Sequence, residues 1–467
     1  MNEQLKINDL VKNTGIIAIG KMSTQIVSFL LLPVYTAYLT TEDYGIVDLI
    51  SVLVQVLLPI ITLQLEQAVF RFLIEVRDNE REIKRIISTT IVFLTFQTII
   101  YTIFIAIFGC YIHNEYKYYL FFNLITCMYS YIFTQIARGL GRNGIYSLAN
   151  FLMSFLNIIL NIWFIVGIKS GASGMILASC ISNLFCMFFV LISTKIYKYI
   201  SIKKVNKKIY IKMLRYAVPL IPNQISWWVF SSSDRLIITA MLSVSANGIY
   251  AISCKFSTLF TTIYNFYNLS WTEQAVLHFK DNNIESYLRK NIDLAFRFFS
   301  SIILGIIVIM PLIFHYLINE QYADSYKQIP ILLVGAWFNM IVGLFSVIYI
   351  AKGLTKSIAR TSIISAIINI LVNIVFVKSL GLYAASLSTV VAYAFLAFYR
   401  IYDIRKIIAI KLDYKLFINF AAAFLITILG YYINILPVNI FNLLFAIIFA
   451  LVFNKKIIQY IILMIKR

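Results

Sequence analysis

The chain has 467 residues, 61% of them hydrophobic and only 13% charged, with a formal charge of +20 and a mean hydropathy of +0.85. Soluble domains are about one quarter charged, so the composition excludes a soluble globular protein and reads as an all-α polytopic membrane protein. The basic excess raises nucleic acid as a partner, but its placement along the chain accounts for it without one.

The first apolar run, Gly15 to Leu39, is too long for a signal-peptide core and lacks a small-residue cleavage site, so the first helix is expected to stay. A run of about 20 apolar residues suffices to cross hydrocarbon. Fourteen are read in order: 14–39, 44–66, 86–112, 117–137, 146–168, 172–194, 215–242, 246–272, 298–318, 328–350, 360–377, 382–402, 416–434 and 437–454. The last is the weakest, because the apolar stretch 457–465 follows it, and twelve or thirteen spans also fit. Cys110, Cys127, Cys180, Cys186 and Cys254 lie singly in apolar runs and read as small buried hydrophobes.

With the amino terminus inside, cytoplasmic segments 71–85, 138–142, 195–215, 280–297, 352–360, 400–415 and 455–467, with Lys6 and Lys12, hold 33 of the 40 Lys and Arg. The outer connections hold four: Lys117, Lys169, Lys327 and Lys378. Lys and Arg concentrate on the cytoplasmic side of membrane proteins, which sets the orientation. Three bases, Lys21, Arg235 and Lys255, remain inside apolar runs.

A weak internal repeat accompanies this pattern. Gly45-Ile46 recurs as Gly248-Ile249, Glu66-Gln67-Ala68 as Glu273-Gln274-Ala275, and Asn157 with Asn161 as Asn369 with Asn373, at offsets of 203, 207 and 212. A shift of six spans is even, so the halves enter the membrane from the same side. The expected domains are a first lobe at 1–194, a basic linker at 195–214, a second lobe at 215–402 and two further helices at 403–467.

The phrases FLLLPVYTAYLTTEDYGIVDL (29–49), AVFRFL (68–73), PLIPNQISWWVFSSSDRLII (219–238), GIYAISCKF (248–256), SWTEQA (270–275) and GAWFNMIVGLFSVIYIAKGLTKS (335–357) carry a family resemblance. In their order and spacing, the chain resembles the Wzx-like oligosaccharide flippases of the multidrug/oligosaccharidyl-lipid/polysaccharide exporter superfamily. The resemblance implies two pseudo-symmetric six-helix lobes around a central cavity, with two helices added at the carboxyl end. It also implies alternating-access transport of undecaprenyl-diphosphate-linked oligosaccharide across a bacterial plasma membrane. Surface polysaccharide or capsule synthesis is the implied setting, with membrane lipids, a polysaccharide polymerase and glycosyltransferases as partners and no cofactor. Arg235 in SSSDRLII and Lys255 in AISCKF match family phrases, whereas Lys21 matches only as a base in the first span.

The stretch 215–255 concentrates the candidate chemistry. A charge at the centre of a membrane helix costs about 2.5–3.5 kcal/mol on insertion scales, so such residues usually face a polar path. Arg235 can fork two donors onto a phosphate, and Lys21 and Lys255 supply point charges; a structural ion pair is the plainer role for Arg235. Adjacent helix positions diverge by about 100°, so Asp234 and Arg235 are expected to reach different partners. Pro219 and Pro222 break the helix ahead of Asn223 and Gln224, which with Trp228 are candidates for the sugar. Packing is the alternative for the tryptophans. Asp48, Glu66, Asp234 and Glu273 are candidates for a coupling ion, against the commoner solvated carboxylate or a partner such as Arg71 beside Glu66. The paired asparagines share a helix face and suit interhelical hydrogen bonds.

Two glycine motifs carry nothing. Gly15 to Lys21 lacks the Ser or Thr that completes a phosphate loop, and Gly139, Gly141 and Gly144 follow no strand. His113, His278 and His315 are scattered, so no metal or triad is assembled. Two rival readings remain. A cation-coupled multidrug exporter would place mainly acids at mid-membrane, and a polysaccharide polymerase or ligase would carry a large outer loop.

Overall fold

The computed structural model describes residues 29–109, 116–279, 281, 283–406, 408, 413–455 and 459. Among these there are 16 α-helices and no strand. In chain order they are α1 Leu32–Tyr38, α2 Thr41–Ile61, α3 Leu65–Glu75, α4 Glu80–Phe108, α5 Tyr116–Gly139, α6 Asn143–Ile162, α7 Gly171–Ser193, α8 Lys207–Ala217, α9 Ile221–Met241, α10 Val244–Leu277, α11 Ile284–Leu317, α12 Asp324–Ala351, α13 Thr355–Leu380, α14 Leu382–Ile404, α15 Tyr414–Ile433 and α16 Leu436–Phe453.

Among the described residues, 11 helices are long and apolar enough to cross a membrane. The fold is therefore that of an all-helical polytopic membrane protein. Its outer faces carry the greasy stripes that lipid requires: on α4, Phe96, Ile99, Ile103, Phe104 and Ile107 recur at three- and four-residue steps and are all exposed. Helices α9 and α10 are long enough to span but are not among the eleven. Their Ser, Asn and Gln side chains, with Asp234, Arg235 and Lys255, lower their apolarity. The expected span 14–39 lies mostly outside the described residues.

Two boundaries differ from the apolar runs for physical reasons. The run 44–66 is broken after Ile61, where Leu63 and Gln64 both adopt positive φ (53° and 57°). This left-handed pair ends α2 and starts α3, because left-handed backbone cannot continue a right-handed helix. The run 298–318 belongs to a helix that starts fourteen residues earlier, at Ile284. Leu288, Ile292, Ala295, Phe296 and Phe299 are buried along one face of that extension. An amphipathic segment of this kind is helical through packing, and an apolar-run criterion does not see it. Pro219 lies in a short 3-10 turn, Val218–Leu220, and Pro222 in the first turn of α9, where its missing N–H costs no helix bond.

The chain divides into two compact units, Met1–Ser233 and Asp234–Arg467. In the first, Leu65, Val69 and Leu73 of α3 pack with Met128, Ile132 and Ile136 of α5 and Ile87 and Leu94 of α4, all fully buried or nearly so. Helix α8 joins this core through Met213 and Ala217, and its Tyr210 ring stacks on Phe93 at 3.4 Å. A capping box between Thr40 and Asp43 starts α2, and Asp43 Oδ1 accepts from Ala172 N at 3.1 Å. In the second unit, Trp337 is a hub: its Nε1 donates to Ser300 Oγ at 2.7 Å and its ring packs on Phe296, Phe417 and Phe424. Tyr264 and Trp271 of α10 donate to the carbonyls of Met340 and Leu344 on α12.

Candidate functional site

The polar centre of the second unit is Asp234, only 6% exposed on α9. Its Oδ1 accepts from Asn373 Nδ2 at 3.0 Å, and its Oδ2 accepts from Thr389 Oγ1 at 3.0 Å and Tyr250 Oη at 3.2 Å. Helices α10, α13 and α14 thus each send one neutral donor to a single carboxylate. Three donors replace the water that burial removes from around this carboxylate. Asn373 Oδ1 has no hydrogen-bond partner among the described residues, leaving an acceptor oxygen beside the carboxylate.

Arg235 follows Asp234 on α9 and is half-buried, as is Lys255 on α10. Asp234, beside Arg235, turns to the α10, α13 and α14 donors. Lys21 lies outside the described residues. Asn223 and Gln224 are exposed on the first turn of α9. Trp228 is half-buried, and its indole Nε1 donates to Val52 O of α2 at 3.0 Å. Trp227, beside it, is 60% exposed. The indole N–H of Trp228 is therefore committed to backbone, and only its ring faces stay available for stacking.

The acids of the repeat separate sharply. Glu66 is 5% exposed, at the start of α3 beside the helix break, whereas Glu273 is exposed on α10. Arg71 is 3.5 Å from Glu75 and lies over the Tyr216 ring, so it is not the partner of Glu66. Glu66 lies against Thr62, and its Oε2 has no hydrogen-bond partner among the described residues. Gln97 reaches the same turn from α4, donating from Nε2 to Thr62 O at 3.2 Å. Asp48 is half-buried on α2.

The asparagine pairs also part company. Asn161 Nδ2 donates to Asn157 O at 2.8 Å within α6, whereas Asn369 Nδ2 reaches Ser388 Oγ at 3.4 Å and Asn373 reaches Asp234. Interhelical bonding therefore holds for the second pair and local bonding for the first.

Arg400 is a base that the charge pattern placed with the cytoplasmic connections. It is 3% exposed inside α14. Its Nη1 donates to Ser346 Oγ of α12 and its Nη2 to Ser362 Oγ of α13 at 3.2 Å, while Nε has no partner among the described residues. The serines give no sequence signal, since Ser346 and Ser362 are 54 and 38 residues away.

The fold is similar to that of solved exporters. Against the lipid II flippase MurJ in an inward closed conformation, the TM-score is 0.68 at 14% identity, covering 96% of this chain and 99% of that one. Against an inward-facing multidrug resistance MATE family transporter of the MOP superfamily it is 0.67 at 15% identity, covering 83% and 98%. An outward-facing transporter of that family gives 0.57 at 18% identity, covering 86% and 97%. Likeness at such identities shows a shared fold. Among curated protein sequences none matches this chain. The family described as polysaccharide biosynthesis protein matches residues 10–272, more than half of the sequence, and the chain belongs to that family.

Proposed function

We propose that this protein is a transporter, and no enzyme, that flips an anionic lipid-linked oligosaccharide across a bacterial plasma membrane by alternating access. The substrate class is an undecaprenyl-diphosphate-linked sugar chain destined for a surface polysaccharide such as a capsule. The observation that carries the reading is the presence of two half-buried bases, Arg235 and Lys255, with the buried Asp234 on the consecutive helices α9 and α10. A diphosphate needs cationic groups to replace its water, and a fixed negative charge nearby keeps them from holding it too tightly. Membership in a polysaccharide biosynthesis family and a fold shared with a lipid II flippase support the same substrate class.

In this reading Arg235, Lys255 and Lys21 meet the diphosphate, and Asn223, Gln224 and the Trp228 ring meet sugar. Asp234 with the unpartnered Asn373 oxygen offers acceptors for a coupling cation, and Glu66 and Asp48 are further candidates on the first unit. Glu273, exposed, is the weakest of the four. The basic segments put the amino terminus in the cytoplasm, with polymerase and glycosyltransferases acting after and before the flip.

The test is removal of the chain from its native cell, followed by leaflet-resolved analysis of lipid-linked oligosaccharide. Accumulation on the inner leaflet, reversed by the wild-type chain and not by Arg235→Gln with Lys255→Gln, is the expected result. Unchanged distribution of the lipid would overturn the reading, and loss of drug efflux instead would favour a multidrug exporter.

A further inference from the structure

The segment 195–215, which follows α7 and includes most of α8, carries eight Lys and Arg and no Asp or Glu; no acid occurs anywhere from 116 to 233. All eight bases are exposed, and among the described residues none lies within ion-pair range of a carboxylate. Like charges crowded into so short a stretch repel one another, so the surface they form is complementary to a dense array of anions.

The segment is pinned to the first unit. It leaves α7 after Ser193 and folds against α4, where the buried Ser88 hydroxyl donates to Tyr199 O and accepts from Ser201 N, both at 2.9 Å. Thr89 Oγ1, also buried, accepts from Asn206 N at 3.0 Å, and Asn206 Oδ1 caps α8 by accepting from Lys208 N at 2.9 Å. Ile196, Met213 and Ala217 are fully buried beneath it. The bases therefore stay where the fold puts them. On α8 the exposed positions, Lys207, Lys208, Ile211, Lys212 and Arg215, fall within an arc of about 140° on the side away from Met213 and Ala217. Ahead of α8, Ile202 is 81% exposed beside the exposed Lys203 and Lys204.

The flanking helices set the level of this surface. Both α4 and α7 are long and apolar enough to cross a membrane. On α7 the exposed Ile192 is the last apolar side chain before Lys195, and on α4 Thr89 stands about 10 Å along the helix from Phe96, where the exposed apolar stripe begins. Headgroups add roughly 5–8 Å to each side of the hydrocarbon, so the basic surface lies at their depth.

We propose that this surface docks on the anionic phospholipid headgroups of the protein's own membrane, with the bases on phosphates and Ile202 and Ile211 against the upper acyl chains. Each Lys or Arg beside an anionic leaflet strengthens attachment about fivefold. A nucleic acid would satisfy the bases and leave Ile202 in water. Anionic lipid meets both, as it does for basic helices that carry apolar side chains at the interface.

The full chain in nanodiscs of phosphatidylcholine with a minority of phosphatidylglycerol supplies the test, read as retained lipid by mass spectrometry after brief detergent extraction. Relative to its share of the bilayer, phosphatidylglycerol should be retained about fivefold or more over phosphatidylcholine, the scale of one base at an anionic surface. The preference should fall as the wash is raised from about 0.15 M to about 1 M salt, which shortens the screening length from about 8 to about 3 Å. Replacing Lys203, Lys204, Lys207 and Lys208 together by Gln should abolish it with the unfolding temperature unchanged, and Ile202→Asp should weaken it. Replacing the exposed Lys290, Lys356, Arg360 and Lys415 by Gln matches the change in net charge and should leave the preference in place. Equal retention of the two lipids by wild type, or equal loss in both four-fold variants, would overturn the proposal. So would displacement of the phosphatidylglycerol by excess inorganic phosphate, which would make a free anion the ligand. Both leaflets of the nanodisc are alike, so the result depends neither on orientation nor on whether the protein flips oligosaccharide.

Discussion

Asn373 donates its side-chain amide to Asp234 Oδ1 at 3.0 Å across 139 residues of sequence. One asparagine of a repeated pair is thereby committed to the acid beside Arg235, while its counterpart in the first unit, Asn161, donates within its own helix. The two halves share a pattern and have put it to different uses.

The carboxylate cage gives the first prediction. Asp234→Ala leaves the donors of Asn373, Thr389 and Tyr250 without an acceptor, and hydrogen bonds to a charged group contribute about 1.5–3 kcal/mol each. The expected result is a large loss of thermal stability in detergent, with Asn373→Ala losing less. Asp234→Asn, similar in shape, should recover most of the stability and none of the transport, measured by complementation at matched protein levels. Full transport by Asp234→Asn would remove the residue from the working site.

Arg400 yields a prediction of opposite sign. It is buried with two serine oxygens as hydrogen-bond partners and its guanidinium 6.0 Å from the centre of the Tyr349 ring, and replacing buried charges by apolar groups of similar volume is often neutral or stabilising by about 1–4 kcal/mol. Arg400→Met should unfold at the wild-type temperature or above it. Arg400→Ala, which leaves a cavity, should unfold lower by an amount in the range of about 2–5 kcal/mol seen for large-to-small changes. A Met variant as unstable as the Ala variant would show that the charge itself is needed.

The repeated glutamates form a matched pair. Glu273→Gln, on an exposed helix face, should leave stability within about 0.5 kcal/mol, as surface changes do. Glu66→Gln alters a buried group with an unpartnered oxygen and should change the transport rate in a flipping assay while leaving protein level intact. Equal transport effects of the two substitutions would deny that burial separates their roles.

Trp228→Phe removes one indole donor to Val52 O and should cost about 0.5–1.5 kcal/mol of stability. Trp227→Phe, exposed, should cost nothing measurable in the same thermal assay. If Trp227 proves the more sensitive, the assignment of Trp228 as the tied residue fails.

Close packing sets the last prediction. A Cβ on Gly343 of α12 would overlap the Tyr264 hydroxyl, which is itself held by Met340 O. Gly343→Ala should destabilise by about 1–3 kcal/mol, the usual range for overpacking. Gly305→Ala, with open space around it, should be neutral or slightly stabilising by helix propensity.

The sequence alone determined the membrane class, the positions of most spanning helices and the candidate charges within them. Each of those features is local: a twenty-residue apolar run or a lone Arg in hydrocarbon is legible wherever the rest of the chain goes. The tertiary structure alone decided that Asp234 is caged by α10, α13 and α14, that Arg400 is interior, and that Glu66 and Glu273 differ in burial. It also set the break at Leu63 and Gln64. Thr389 meets Asp234 over a separation of 155 residues, and hydropathy has no term for such a meeting. A polar side chain in an apolar run signals that it needs a partner, and only packing chooses which one.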